Sequence, residues 1–235
     1  MMEMILTNAI VVLFALVLIA WSMSEMMRMR AAGPIMTALY GLGTVMALVM
    51  VVAYGWREGV QSASTILALM LLALTVVSLY VHIRLKSTMV APISALVVVL
   101  MQMSHNMGVF PDLSECLPLL EKVSQPWINA SIVLGALGTG MAAACAIVGI
   151  VMVVRQKKAN AITPDRVLAI TAKMPKMLSH LAWWALAFLS FSLGGYFMWC
   201  HTLFGHFYFW QPYFAMVSLA WLAIFIGKDM LFTKE

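Results

Sequence analysis

Charged residues are scarce in this sequence: only 10% of its 235 residues are Asp, Glu, Lys or Arg, against roughly a quarter in soluble domains. Hydrophobic residues make up 64% of the chain, and the mean hydropathy is +0.99. Because this composition provides too little polar surface for a water-soluble globule, it predicts a protein that lies in a lipid bilayer. Apolar runs recur along the whole chain, so we expect residues 1–235 to form one integral membrane domain.

Cysteine is rare as well, and the motifs of several enzyme classes are absent from the sequence. Cys116, Cys145 and Cys200 are too few and too scattered for a disulfide framework or a Cys-x-x-Cys redox motif. No glycine-rich phosphate loop, nucleophile elbow or zinc-ligand spacing occurs. Acidic residues do not occur deep inside any apolar run, which argues against a proton-coupled transporter or pump.

Apolar windows of about nineteen residues predict an all-α, polytopic bundle of seven transmembrane helices. The predicted spans cover residues 6–23, 35–54, 65–83, 90–107, 128–154, 181–200 and 213–226. No basic residues precede the run 4–20, so it is predicted to be a true first helix and not a secretory signal. Small residues predict that the fifth span packs closely against its neighbours; they are Gly135, Gly138, Gly140, Ala142, Ala143, Ala144 and Gly149.

Basic residues predict the orientation of these spans. Seven spans place alternate connections on opposite sides of the membrane, and twelve of the fourteen Lys and Arg residues then share one side. The two exceptions are Arg57 and Lys122. Since basic residues favour the cytoplasmic side, the amino terminus is predicted to be outside and the carboxy terminus cytoplasmic. The net charge of +5 is therefore interpreted as a topology signal and not as nucleic-acid binding.

The basic connection 155–176 contains a helix-start signal. Thr163 is a candidate cap, and Pro164 suits the first helical position. Apolar residues then alternate with Arg166 and Lys173. This pattern predicts a short cytoplasmic helix over residues 164–172 that lies along the membrane surface and ends before Pro175.

The connection between the sixth and seventh spans, residues 201–212, is rich in aromatic rings and contains His201 and His206. One interpretation is an aromatic belt at the level of the lipid headgroups. In the other, Gly205 allows close backbone approach, Pro212 ends the segment, and the rings form an apolar platform for a planar ligand. We expect the segment to fold back and line an outer pocket with Tyr208 and Trp210, under the connection 111–126.

Residues 204–212 resemble the signature W-G-x-Y-W-x-W-D-P of WWD-domain proteins, the heme-handling cytochrome c assembly family of the CcsA, ResC and CcmC type. The residues that match outright are Gly205, Trp210 and Pro212, and those that keep an aromatic ring in place of the family's Trp or Tyr are Phe204, Phe207 and Tyr208. Gln211 replaces the family's acid. Upstream, residues 125–131 resemble the family's P-W-L-x-x-H-V-S segment, so the similarity extends over about residues 60–230.

The resemblance implies a function in heme handling. In the family the aromatic loop holds heme at the outer face, with a histidine on each side of the iron, and heme is passed to the Cys-x-x-Cys-His of an apocytochrome c. For this chain it implies heme b as the cofactor and other membrane subunits of a cytochrome c assembly or respiratory complex as partners. It also implies the plasma membrane of a bacterium or archaeon as the location. Such a delivery or assembly factor is not a conventional catalyst.

This sequence departs from the family at both iron ligands. Asn129, whose amide is a poor heme ligand, stands near the expected position of the first histidine, and the second is expected beyond a further span, after Glu235. The outer side of the predicted bundle offers three imidazoles. We therefore expect His105, His201 and His206 as metal ligands, and Phe204, Gly205, Phe207, Tyr208, Trp210 and Pro212 as the apolar platform. The alternative is a structural or regulatory membrane subunit that has lost heme transfer.

A methionine-rich stretch at residues 101–107 indicates a third function, copper handling. On a helix, Met101 and His105 share one stripe and Met103 and Met107 another, so thioethers and an imidazole are available to Cu(I). The chain has 22 methionines throughout its length, however, and methionine is a flexible apolar filler. Ordinary packing is therefore expected to account for most of this cluster.

Overall fold

The computed structural model describes residues 2–27, 32–85, 89–108, 126–162, 173–205 and 211–232. Within these ranges the chain forms seven helices and no strand. In chain order they are α1 (Met2–Met27), α2 (Ala32–Glu58), α3 (Ala63–Leu85), α4 (Val90–Asn106), α5 (Pro126–Ile162), α6 (Lys173–Phe204) and α7 (Pro212–Phe232). Each coincides with one predicted apolar segment, so the all-α prediction is confirmed.

Five of the described helices, α1, α2, α3, α5 and α6, are long and apolar enough to cross a membrane by length and composition. The apolar stretches of α4 and α7 are shorter, at Val90–Asn106 and Pro212–Gly227. Large apolar side chains also cover the outside of the bundle; Phe191 and Leu219, for example, are 69% and 68% exposed. Because such a surface is unfavourable in water, the described residues form a helical bundle of the kind that lies in a membrane.

Helices that are consecutive in the chain run in opposite directions. Thr7, near the start of α1, is hydrogen-bonded at 3.1 Å to the hydroxyl of Tyr54, near the end of α2. With this alternation, the last turn of α4 and the first turn of α5 lie at one end of the bundle, and the last turn of α5 and the first turn of α6 at the other. We call these the His105 end and the Lys176 end.

Buried apolar side chains form two clusters. The first joins α1, α2, α3, α4, the second half of α5 and the start of α6. The second joins the start of α3, the first half of α5, the rest of α6 and α7. Met101 of α4 packs against both clusters. The helices α3 and α5 are therefore central, with α4 packed mainly on α1 and α3, and α6 packed on α5 and α7.

Close contacts along α5 confirm the packing predicted from its small residues. A Cβ atom added at Gly140 would collide with the backbone carbonyl oxygen of Met70 and would lie 2.9 Å from the Cβ of Ala73, both on α3. On the other side of α5, a Cβ at Gly138 would lie 2.8 Å from Cγ of Leu189 on α6. Glycine therefore lets three helix backbones approach each other within the bundle.

The basic connection is partly helical at both of its ends. α5 continues without interruption to Ile162, and α6 begins at Lys173, so residues 155–162 and 173–176 are helical. The predicted surface helix over residues 164–172 lies outside the described residues and stays a prediction.

Candidate functional site

The last turns of α4 carry buried polar groups that have no partner in the part of the chain that the structure describes. Gln102 is fully buried, and neither its Nε2 nor its Oε1 has a hydrogen-bond partner within the described part of the chain. His105, three residues later on the same face, is half-buried, and its buried Nδ1 is also unpaired among the described residues. We call these two residues the Gln102–His105 pair.

Unpaired polar atoms of this kind are costly. A buried donor or acceptor left without a partner destabilises a protein by about 1–3 kcal/mol, and polar residues within membrane segments usually mark a ligand or ion pathway. Two such side chains on one helical face are therefore the strongest indication of a binding site among the described residues. A bound ligand would remove this penalty if it formed hydrogen bonds with these atoms or contained a metal ion that the imidazole nitrogen coordinates.

The aromatic segment begins and ends at the same end of the bundle. His201 lies exposed in the last turn of α6, and Gly205 ends that helix with a φ of 68°, its N–H donating to the carbonyl of His201 at 3.0 Å. This left-handed conformation is one that glycine adopts without strain. Pro212 begins α7. Of the other predicted site residues, Phe204 is the last residue of α6, and its side chain is not described. His206, Phe207, Tyr208 and Trp210 lie outside the described residues.

Aromatic residues at the end of α6 and the start of α7 form a buried cluster. The rings of Tyr196 and Phe214 stack with centroids 3.8 Å apart, and Trp199 stacks on Tyr196 at 6.2 Å. The hydroxyl of Tyr213 donates to the carbonyl of Ile132 at 2.6 Å, which ties the start of α7 to α5. The end of α6 and the start of α7 are thus fixed in a packed core, and Trp199 at 3% exposure belongs to that core.

The candidate ligands His105 and His201 share the His105 end of the bundle but lie on helices that do not pack extensively against each other. The first turn of α5 also lies at this end. There Asn129, at the position compared with the family's first histidine, accepts a hydrogen bond from Nε2 of Gln61 at 3.1 Å. The structure therefore places His201 at the end of α6 and His105 in the other half of the bundle.

The methionines considered for copper face different surroundings. Met101 packs in both apolar clusters, whereas Met103 and Met107 are 45% and 75% exposed on the second stripe of α4. His105 is thus accompanied on its own stripe by one thioether that already packs in the core. Ordinary packing accounts for Met101, as expected from the abundance of methionine in the chain.

Comparison with known proteins gives no match: no family model, curated protein or solved structure matches this chain. Its function is therefore inferred from its own residues.

Proposed function

We propose that this chain is a membrane heme-handling protein that acts in cytochrome c assembly and presents heme b at the outer face of the plasma membrane. The observation that carries the proposal is the Gln102–His105 pair, which has buried polar atoms without partners among the described residues. The pair lies at the same end of the bundle as the described ends of the aromatic segment, at His201 and Pro212. An imidazole, a buried amide and a set of rings are the groups that hold heme in proteins: iron ligand, hydrogen-bond donor and apolar walls.

Each residue has a distinct part in this proposal. His105 provides an imidazole nitrogen as the iron ligand, and Gln102 donates its amide hydrogens to a polar edge of the ligand. Residues 204–212 cover the ligand with aromatic rings, and exposed His201 offers a second imidazole near the aqueous side. When bound, heme supplies an iron centre and a planar apolar surface that these groups recognise. Apocytochrome c and other membrane subunits of the assembly complex are the proposed partners.

Absorption spectroscopy tests the proposal. We expect the chain purified in mild detergent, as isolated or after titration with hemin, to show a saturable Soret band at one heme per chain and a sharpened b-type spectrum after dithionite reduction. A hemin titration that never saturates would show only the non-specific partitioning of hemin into apolar surface that any membrane protein shows. That result would reject heme handling.

The competing function is a structural or regulatory membrane subunit that has lost heme transfer. The engagement of Asn129 with Gln61 favours it, because an amide that is already hydrogen-bonded replaces an iron ligand at this position. This function predicts a stable chain with no saturable Soret band, so the same titration distinguishes the two.

We further propose that all seven helices span the membrane, with the Lys176 end in the cytoplasm and the amino terminus outside. The charge distribution supports this orientation: among the described residues, Arg57 is the one Lys or Arg at the His105 end. Those at the Lys176 end are Arg84, Arg155, Lys157, Lys158, Lys173, Lys176 and Lys228. Basic residues are retained on the cytoplasmic side during insertion.

Cysteine labelling in intact cells tests this orientation. Met107 and Lys176 are exposed side chains at opposite ends, whereas the described native cysteines, Cys145 and Cys200, are buried. In a Cys116→Ser background, we expect a membrane-impermeant maleimide to label Met107→Cys in intact cells and Lys176→Cys only after permeabilisation. The opposite pattern would invert the topology, and labelling of both sites from outside would exclude seven spans.

A further inference from the structure

A long apolar groove runs between α5, α6 and α7 toward the Lys176 end of the bundle. Its volume is about 610 Å³, within the roughly 300–1,000 Å³ typical of ligand pockets. Small side chains make up most of its walls, including Ala146 and Gly149 of α5, Ala182 of α6 and Ala223 of α7. Such residues leave a channel between helices that larger side chains would fill.

The polar content of this groove is very low. Thr139 is the one hydroxyl-bearing residue in its lining, and its Oγ1 donates to the carbonyl of Gly135 in its own helix at 2.8 Å. The lining of the groove therefore provides almost no hydrogen-bonding groups for a polar molecule, and its apolar surface suits a hydrocarbon chain.

The length of the groove also suits a lipid chain. Its α5 wall extends from Thr139 to Val154, about 22 Å at 1.5 Å per residue. One leaflet of the bilayer core is about 15 Å thick, half of the roughly 30 Å total. An acyl chain that enters at the Lys176 end therefore finds apolar walls over the full depth of its leaflet.

Basic residues are concentrated on the helix turns next to the end of the groove. Val154, Leu178 and Gly227 line that end, and all three helices carry cations there. On α5 and α7 they are Arg155, Lys157, Lys158 and Lys228, beside one acidic residue, Asp229, and on α6 they are Lys173 and Lys176. By helical spacing Lys157 continues the groove-lining stripe of α5, whereas Lys176 is on the opposite face of α6 from Leu178. The first turn of α6 adds the positive end of a helix dipole. Basic pockets between transmembrane helices at the cytoplasmic side are a known form of anionic-headgroup site.

We propose that this groove binds an anionic phospholipid, with one acyl chain between α5, α6 and α7 and the phosphate at the basic end of α5, where Lys157 continues the groove-lining stripe of Val153 and Val154. A transmembrane helix from a second copy would use the small side chains but would gain nothing from the cations at the groove's end. Charge complementarity therefore favours a lipid. The proposal does not depend on heme handling, since the site lies at the opposite end of the bundle from His105.

Native mass spectrometry of the full chain in detergent tests the lipid site. The chain is titrated with phosphatidylglycerol and with phosphatidylcholine of identical acyl chains. We expect phosphatidylglycerol adducts at lower lipid concentration than phosphatidylcholine adducts. Replacing one headgroup cation, as in Lys157→Gln, is expected to weaken phosphatidylglycerol binding about fivefold and to leave phosphatidylcholine binding unchanged. Arg57→Gln, at the other end of the bundle, is the matched control and is expected to bind like the wild type.

A second pair of variants tests the groove itself. Ala223 is exposed within the groove, and Ala215 is exposed on the same helix outside it. Ala223→Phe is expected to remove the phosphatidylglycerol preference, whereas Ala215→Phe keeps it. Equal binding of both lipids by the wild type, or unchanged adducts in both Ala223→Phe and Lys157→Gln, would overturn the proposal. A dimer mass that Ala223→Phe converts to monomer would identify the groove as a seam between two copies instead.

Discussion

Replacing Gly140 with alanine is expected to destabilise the bundle by about 1–3 kcal/mol, the usual cost of overpacking a well-packed core. The new methyl group would collide with the backbone carbonyl oxygen of Met70 and crowd the Cβ of Ala73. Neither atom belongs to a flexible side chain that can move aside. The helices α3 and α5 must therefore separate, and both apolar clusters depend on these two helices. Unfolding of the purified chain in mixed micelles measures the loss.

Gly41 of α2 provides the matched control, because a Cβ atom there would meet nothing within 4 Å. Gly41→Ala gains helix propensity, by up to about 1 kcal/mol, and loses no contact. We expect it to unfold at the wild-type denaturant concentration or above. Equal destabilisation by the two substitutions would show that the cost lies in the glycine backbone and not in the contact between α3 and α5.

The seven helices were predictable because each is an apolar run bounded by charged residues, glycine or proline. The end of α5 was not: the predicted span stops at 154, but the helix continues to Ile162. Hydropathy windows detect the hydrocarbon core, whereas Lys157, Lys158 and Ala159 are good helix formers that carry the helix beyond it. The bounds of a helix and the bounds of its membrane-spanning part are thus set by different properties.

Which helices are neighbours was not predictable from apolar patterns. Lipid and protein interior are both apolar, so a membrane helix shows little periodicity in hydrophobicity that would indicate its partners. Contacts such as Gly140 against Met70 depend on local shape. The sequence predicts that His105 and His201 lie on the same side of the membrane, but it does not predict whether their helices are adjacent. In the structure, α4 and α6 do not pack extensively against each other.

Gln102 is not predicted as a site residue from the sequence, because the polar signal used inside the spans is an acidic side chain. An amide inside the predicted span 90–107 is an equally clear signal, since a polar group within a membrane segment needs a partner. Its complete burial without a partner in the described chain depends on how α4 packs. Sequence alone identifies the residue, and only the packing of α4 shows that its amide is unpaired.

We expect His105→Ala to abolish the saturable Soret band, because it removes the iron ligand of the proposed site. His180→Ala is the control, since His180 is an exposed histidine at the Lys176 end and its loss leaves the His105 end unchanged. Hemin titrations of both variants and of the wild type provide the measurement. If His105→Ala keeps the full Soret band, a residue other than His105 is the iron ligand. His201→Ala is then the next variant to test.

Gln102→Met separates binding from folding at the same site. Methionine has a similar volume and no amide, so the substitution removes a buried unpaired polar group and is expected to stabilise the heme-free chain by about 1 kcal/mol. In the presence of heme the same substitution removes a hydrogen bond to the ligand, so hemin affinity is expected to fall by a few-fold to about tenfold. Thermal unfolding without heme and hemin titration measure these opposite effects. A variant that loses stability without heme would show that the Gln102 amide serves the fold, and the ligand site would then reduce to His105.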